Sequence, residues 1–462
     1  MVSIKFNTAV EAIAANIIEA KFVDFKKEVV DSAKNRIIDV IGCAIGGANA
    51  SGNVELIDLI KEWGGNQEAS ILIHGGKAPA HNVAMANAIM SRSYDYEVMM
   101  VLVDGQCFPS HHSPTNVMTA IALGESAGID GRELIASIIV GDDISARLIA
   151  ASGIDLGLGW DGTGTFTAFS AAAIAGRLLR LNHHQMQNAF GIVLNNVAGT
   201  VQAIWDGATT FKYGQGSAAM NGIIAAKLAK KGWIGVKDPF LSPYGFYGLY
   251  TSGCKHPEIL TKDLGKKYYA EAVFKAYPCC RATHTTIDAA LSLGQRYHFN
   301  TEDISSIAIF CSPGFLKSFV AKPFQIRDYP HCDAIFSLKY TCATALLNKC
   351  VKQEHFTDAS ILSSKINNFI PKIDILPFTE PRATGIEVKL RLKNGRTFSE
   401  YVSTAKGDPL SKPLTKDEII EKYLQQVEFS QTVKKDRAIL AMKKIENIEE
   451  VNNLSEIINL LV

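Results

Sequence analysis

Eleven consecutive residues, Phe274-Lys275-Ala276-Tyr277-Pro278-Cys279-Cys280-Arg281-Ala282-Thr283-His284, hold two fixed cations, two thiols and a histidine. Pro278 stiffens the backbone between the cations. The run Thr283–Gly294 behind it has helical spacing, so Lys275 and Arg281 are expected on a turn that leads into a helix N-terminus. Free amides and the positive end of a helix dipole gather at such a place, which suits a carboxylate or phosphate. Thiolate chemistry is the rival use: cations beside Cys279 and Cys280 are expected to depress their pKa. The plainer reading is a solvated turn with surface charges and a small cysteine packed beneath it.

A second cluster joins Tyr94-Asp95-Tyr96-Glu97 to Pro109-Ser110-His111-His112-Ser113-Pro114. An acid paired with a loop histidine is the combination that moves protons, the carboxylate orienting the imidazole or sharing its proton. Residue spacing alone leaves open which acid and which histidine. A third group, Trp205 to Ala219, carries Lys212 a few residues before a helix start, facing the same kind of dipole end or else solvent. Donors for a metal lack the repeated spacing of zinc or iron–sulfur sites, and adjacent side chains such as His111 and His112 seldom chelate one ion. His183 and His184 read as the first residues of a helix rather than as ligands.

Gly157-Leu158-Gly159-Trp160-Asp161-Gly162 matches a dinucleotide fingerprint, but the match fails on context. Ala146–Ser152 before it is helix-like, and Leu179-Arg180-Leu181-Asn182 offers no acid where the ribose would need one. A glycine-rich loop feeding a helix near Thr165, capped by Thr163 or Thr165, is the better reading, and its free amides suit a carboxylate.

These groups must be positioned by a chain of 462 residues with 47% hydrophobic and 20% charged residues, an ordinary globular balance. Lys and Arg number 47 against 46 Asp and Glu, a net charge of +1, so no basic excess points to nucleic acid or a membrane surface. Nine cysteines without a Cys-x-x-Cys pair indicate a reducing compartment. Met1-Val2-Ser3-Ile4-Lys5-Phe6 lacks an apolar signal core, and the expectation is a cytoplasmic protein.

To about residue 260 the periodicity is helical: Val29, Val30, Ala33, Ile37, Ile38 and Ile41, then Val83–Ser91, Asn116–Ala127, Arg132–Ala150, Phe166–Leu181, His184–Val197 and Ser217–Lys231. The pattern changes near Leu264. Ile304–Cys311 reads as a strand, and Gly385–Leu392 and Thr397–Thr404 flank Lys393-Asn394-Gly395-Arg396, a hairpin signal. Helical runs Thr283–Arg296, Asp333–Asn348 and Asp358–Asn368 interleave with these strands. After Gly407-Asp408-Pro409, Thr415-Lys416-Asp417-Glu418 opens a helical tail with a capping box. The fold class is mainly α, with a large helical domain and a smaller α+β domain.

In their order, Ile41-Gly42-Cys43-Ala44, Tyr94-Asp95-Tyr96-Glu97, Gly162-Thr163-Gly164-Thr165-Phe166, Gly216-Ser217-Ala218-Ala219, Phe274-Lys275-Ala276-Tyr277-Pro278, Phe336-Ser337-Leu338-Lys339-Tyr340 and Gly407-Asp408-Pro409 resemble the MmgE/PrpD family over nearly the whole chain. The resemblance implies a helical domain built from both chain ends, 1–264 and 408–462, with an α+β lid, 265–407, inserted between them. It also implies a homodimer and metal-free, cofactor-independent chemistry on small di- or tricarboxylates. It matches Asp95 to the family's acid, His111 to its loop histidine (by spacing to Gly124-Glu125) and Lys275 to its lid lysine.

Around these three, Arg281, Lys212, His284, Cys280, Asp161 and Thr163 are the expected substrate-binding set. The chain departs from the family's cis-aconitate decarboxylase pattern at Met99, Asp161, Phe211 and Cys280, which argues against that activity. The resemblance therefore implies a lyase, foremost a dehydratase. An epimerase using Cys280 or His284 as second base, a decarboxylase, and a carboxylate-binding member without catalysis are the alternatives.

Overall fold

Val30, Ala33, Ile37, Ile38 and Ile41 fall on one face at helical spacing, and they bury that face of helix α1 (Lys27–Gly47). The computed structural model describes residues 8–152, 158–379 and 384–462. Around α1 stand α2 (Ala80–Arg92), α3 (His112–Ala127), α4 (Gly131–Ser152), α5 (Gly162–Leu178) and α6 (Tyr213–Lys230). Small residues let these helices lie close, with α6 against α5 and α2, and α5 against α3 and α4. A two-stranded ribbon, β1 (Val101–Val103) and β2 (Gln106–Phe108), links the Asp95 loop to the start of α3.

The second part carries α7 (His284–Arg296), α8 (Leu338–Asn348) and a four-stranded sheet of β3 (Ile304–Cys311), β4 (Ile373–Pro377), β5 (Ile386–Leu392) and β6 (Thr397–Val402), in the order β4-β3-β5-β6. β3 pairs parallel with β4 and antiparallel with β5, and β5 and β6 close the expected hairpin, with Gly395 at positive φ in its turn. The helical run expected over Asp333–Asn348 is two helices: Pro330–Ile335 ends before Ser337, whose hydroxyl caps α8. Likewise Asp358–Asn368 divides into Asp358–Ile361 and Ser364–Phe369.

The tail forms α9 (Lys416–Ser430), opened by the reciprocal Thr415–Glu418 capping box, and α10 (Lys435–Glu446). α9 packs on α1 at Gly42, where a Cβ would come within 3.0 Å of Tyr423 and closer still to the Gln426 amide. One hydrophobic core gathers side chains from Val10 to Ala272 together with Ile419, Tyr423, Val427 and others to Leu461; a second gathers Cys279 to Val402. Ile204 and Phe211 belong to the second core although they lie far upstream of the remainder. Where the chain leaves the second part, Gly407 (φ +92°) passes so near the Phe274 carbonyl that a Cβ would stand 2.1 Å from its oxygen. Only glycine fits both the backbone and the space. Among the described residues no helix is long and apolar enough to cross a membrane.

Candidate active site

The turn that ends α2 builds the site. The Asp95 amide donates to the Arg92 carbonyl at 3.0 Å, and Asp95 takes the left-handed conformation, φ +47°. This conformation costs little for Asp because its short side chain bonds locally. Arg92 and Asp95 then join in a buried ion pair. The Arg92 guanidinium also reaches Glu97 Oε1 at 3.1 Å. From the other side of the chain, Lys275 Nζ lies 2.7 Å from Asp95 Oδ1 and 2.5 Å from its carbonyl oxygen. The backbone ladder between Met99 and Val273 brings the two segments together.

His111 is the N-cap of α3. Gln215 of α6 fixes it there, donating to the His111 carbonyl at 2.8 Å. Its Nδ1 lies 2.5 Å from Glu97 Oε1 and 3.9 Å from Asp95 Oδ1. With Nδ1 engaged by a carboxylate, the ring's proton sits there and Nε2 keeps a lone pair. The His111 side chain is 21% exposed, whereas those of Arg92, Asp95, Glu97 and Lys275 are at most 3% exposed. Of the five, His111 is therefore the side chain most open to solvent.

The electrostatics follow from two cations facing two carboxylates in a dry place. Burial opposes ionisation of Asp95, but Arg92, Lys275 and His111 outweigh it and hold its carboxyl well below the usual carboxylate range. Glu97 is lowered in the same way against its own burial, chiefly by Arg92 and Lys275. Burial, then Arg92 and Lys275, push the His111 imidazole down while Glu97 pulls it up; the net direction is down, so the ring is neutral at neutral pH. A neutral imidazole is the form that accepts a proton.

Asp95, Glu97 and His111 also offer three ligating atoms within 4.8 Å of one another. Arg92 and Lys275 already bond the Asp95 and Glu97 oxygens, and their fixed charges repel a divalent cation from the same point.

His112 lies elsewhere. Fully buried, it meets Arg36 at 3.1 Å and Asp142 at 3.4 Å through Nε2 and Ser110 through Nδ1, part of the packing beneath the site. Asp161, not Thr163 or Thr165, caps α5, accepting the Thr163 amide at 2.9 Å. Its charge acts on Arg92, which carboxylates hold above its ordinary value despite burial. The Thr163 hydroxyl is buried and without a partner among the described residues. The fingerprint-like glycines lie behind helix α4, and Gly157 falls outside the described residues.

The remaining expected binding residues are engaged with other groups. Arg281 bonds the carbonyls of Lys406 and Ala405, the latter at 3.0 Å, and so ties the turn before α7 to the segment where the chain leaves the α+β part. Lys212 Nζ bonds the Ser51 carbonyl at 2.6 Å and Asn53 Oδ1 at 2.7 Å, with Ser93 Oγ at 3.4 Å; burial pushes its pKa down to about 7. Among the described residues no contact joins Lys212 or Arg281 to Asp95, His111 or Lys275. In buried His284, Nδ1 meets Arg281 at 3.2 Å and Nε2 the Cys279 carbonyl at 3.3 Å. The latter nitrogen must carry the proton, so neither keeps a lone pair for catalysis.

Cys280 lies near the cluster, but the expected activated thiolate is overturned: desolvation, with Asp95 adding, pushes its thiol up to about 12, and Lys275 offsets only part of this. The Cys279 thiol is raised too, by burial first.

The residue that sequence reasoning missed is Arg92. A cation in the last turn of a helix is ordinarily solvated; the signal was its i,i+3 spacing to Asp95.

Residues 11–258 match the model of the MmgE/PrpD N-terminal domain, and residues 277–447 match that of the MmgE/PrpD C-terminal domain. A cis-aconitate decarboxylase-like protein, oryM, of Aspergillus oryzae is 23% identical over 96% of this chain and 95% of its own length. A cis-aconitate decarboxylase of Aspergillus terreus is 26% identical over 62% of this chain, which spans 60% of that relative.

Proposed function

Because the chain belongs to the MmgE/PrpD family, we propose that it is a lyase acting on a small di- or tricarboxylate, removing water from a hydroxy acid. The observation that carries this reading is the Glu97–His111 contact at 2.5 Å beside the cations on Asp95. His111 Nε2 takes a proton from the carbon next to a substrate carboxylate. Negative charge builds on that carboxylate, and Arg92 and Lys275 stabilise it inside a site screened from water.

Arg92 Nε is buried without a partner among the described residues, and two of the three Lys275 protons are accepted by Asp95, so each cation keeps an N–H for substrate. The imidazolium then gives its proton to the departing hydroxyl, which leaves as water, and the alkene remains. One group thus serves as base and acid in turn. Glu97 holds the ring and its tautomer. Asp95 stays ionised throughout and positions the two cations.

Decarboxylation is the second reading, favoured by the names of the relatives. The same cations would hold the charge left after CO₂ departs. Two-base epimerisation is disfavoured: His284 has no free lone pair and the Cys280 thiol is raised to about 12.

One experiment sorts these readings. The purified chain is incubated in D₂O with hydroxy-, imino- and unsaturated polycarboxylates, with and without a chelator. Alkene absorbance from a hydroxy acid supports dehydration, CO₂ release supports decarboxylation, and deuterium uptake alone supports epimerisation. Thermal stabilisation by an acid with no turnover of any kind would replace the enzyme by a binding protein.

A further inference from the structure

The ion pair between Asp39 of α1 and Lys422 of α9 is buried, with side chains 0% and 4% exposed and Nζ 2.6 Å from Oδ1. Such a pair is a weak net stabiliser, because removing both charges from water costs about as much as their attraction returns. Its remaining bonds converge on one spot. Lys422 Nζ donates to the Tyr96 carbonyl at 2.6 Å and lies 3.9 Å from the Tyr96 ring centroid. Asp39 Oδ2 accepts the Val98 amide at 2.7 Å. The Tyr96 carbonyl and the Val98 amide belong to the two peptide units that adjoin the Glu97 Cα. Both planes are therefore gripped, from two helices that no local sequence links to the loop.

We propose that Asp39 and Lys422 are positioning residues, a clamp that sets the direction of Glu97 and through it the orientation and tautomer of His111. Rotation about either adjoining peptide swings the Glu97 carboxylate, and a misplacement of about 1 Å at a proton-transfer group lowers rate on the order of a hundredfold. The C-terminal helix α9 thereby takes part in the site without touching it.

The proposal rests on His111 as the base, yet it is tested without a substrate. Full-length protein labelled with ¹⁵N in histidine is titrated by NMR, the His111 signals being assigned with His111→Gln. In the neutral double variant Asp39→Asn/Lys422→Met, the Nδ1-protonated tautomer is expected to lose its dominance and the His111 midpoint to move by about 0.5 pH unit or more. A purely structural pair would lower the melting temperature and leave these signals alone. If the double variant does not fold, Asp39→Asn alone, which keeps the shape of the carboxylate, carries the same expectation. Wild-type His111 signals in whichever variant folds would overturn the proposal. So would failure of both to fold, since the pair would then serve the fold alone. If no acid is turned over by the wild type, the reading of His111 as base fails, while the ring nitrogens still judge the clamp.

Discussion

Glu97 Oε1 lies 2.5 Å from His111 Nδ1, and the same oxygen accepts from Arg92 at 3.1 Å. One carboxylate atom thus serves the base and a cation together. Replacing Glu97 with Gln removes the charge and admits the wrong ring tautomer. Turnover in Glu97→Gln should fall about a hundredfold or more, and His111→Gln should fall at least as far. Steady-state rates on the acid identified in the D₂O panel check this; a His111→Gln enzyme of near wild-type rate removes the histidine from the chemistry.

Lys275→Met leaves Asp95 buried with Arg92 as the remaining fixed cation bonded to it among the described residues. Breaking a buried pair in this way costs about 3–5 kcal/mol, and losing a charge-stabilising group lowers turnover about a hundredfold. Urea unfolding and kinetics on the same sample measure both. Loss of stability with full turnover would confine Lys275 to holding Asp95.

The rate–pH profile should show an acid limb below 6.5, since burial, Arg92 and Lys275 push His111 down from that value. Protonated His111 has no lone pair, so kcat/KM falls as pH drops through the depressed pKa and stays level above it. Arg92→Met removes one depressing charge and should move the limb to higher pH. A limb that moves lower, or not at all, contradicts the assignment.

Cys280→Ala should keep turnover within about threefold, and iodoacetamide should react slowly at neutral pH, because a thiol raised to about 12 holds almost no thiolate. Abolished turnover in Cys280→Ala would restore the thiol as a reacting group.

His284 gives a stability prediction with a definite sign. Burial, then Arg281 and Lys275, hold its pKa well below 6.5 in the fold. Between the folded pKa and 6.5 the unfolded chain binds the extra proton, so the stability His284 contributes is present above 6.5 and is lost as pH falls. His284→Gln should flatten the fall of unfolding free energy below pH 6.5 by about 1.4 kcal/mol per pH unit. Parallel curves for the two proteins would refute the depressed pKa.

Much of the scaffold was legible because its signals are local. Val30 to Ile41 show their helical face in spacing alone, and Asn394-Gly395 marks the hairpin between β5 and β6. β4 was not legible: Ile373-Asp374-Ile375-Leu376-Pro377 is short, carries a charge and ends in proline, and its parallel pairing with β3 spans more than sixty residues. At the site, residue types were readable but partners were not. Lys212 and Arg281 look like free cations in sequence, yet carbonyl oxygens from distant segments claim them. Arg92 drew no reading from the sequence, because its buried partners Asp95 and Glu97 are set by the turn that follows the helix.

Position 95 answers to two constraints at once. The backbone there is left-handed, which admits glycine, asparagine and aspartate with little strain. Two buried cations require a full negative charge. Glycine and asparagine meet the first demand alone, and glutamate meets the second alone. The alphabet at this position therefore shrinks to a single letter, and a library randomised there should return aspartate whichever carboxylic acid is used for selection.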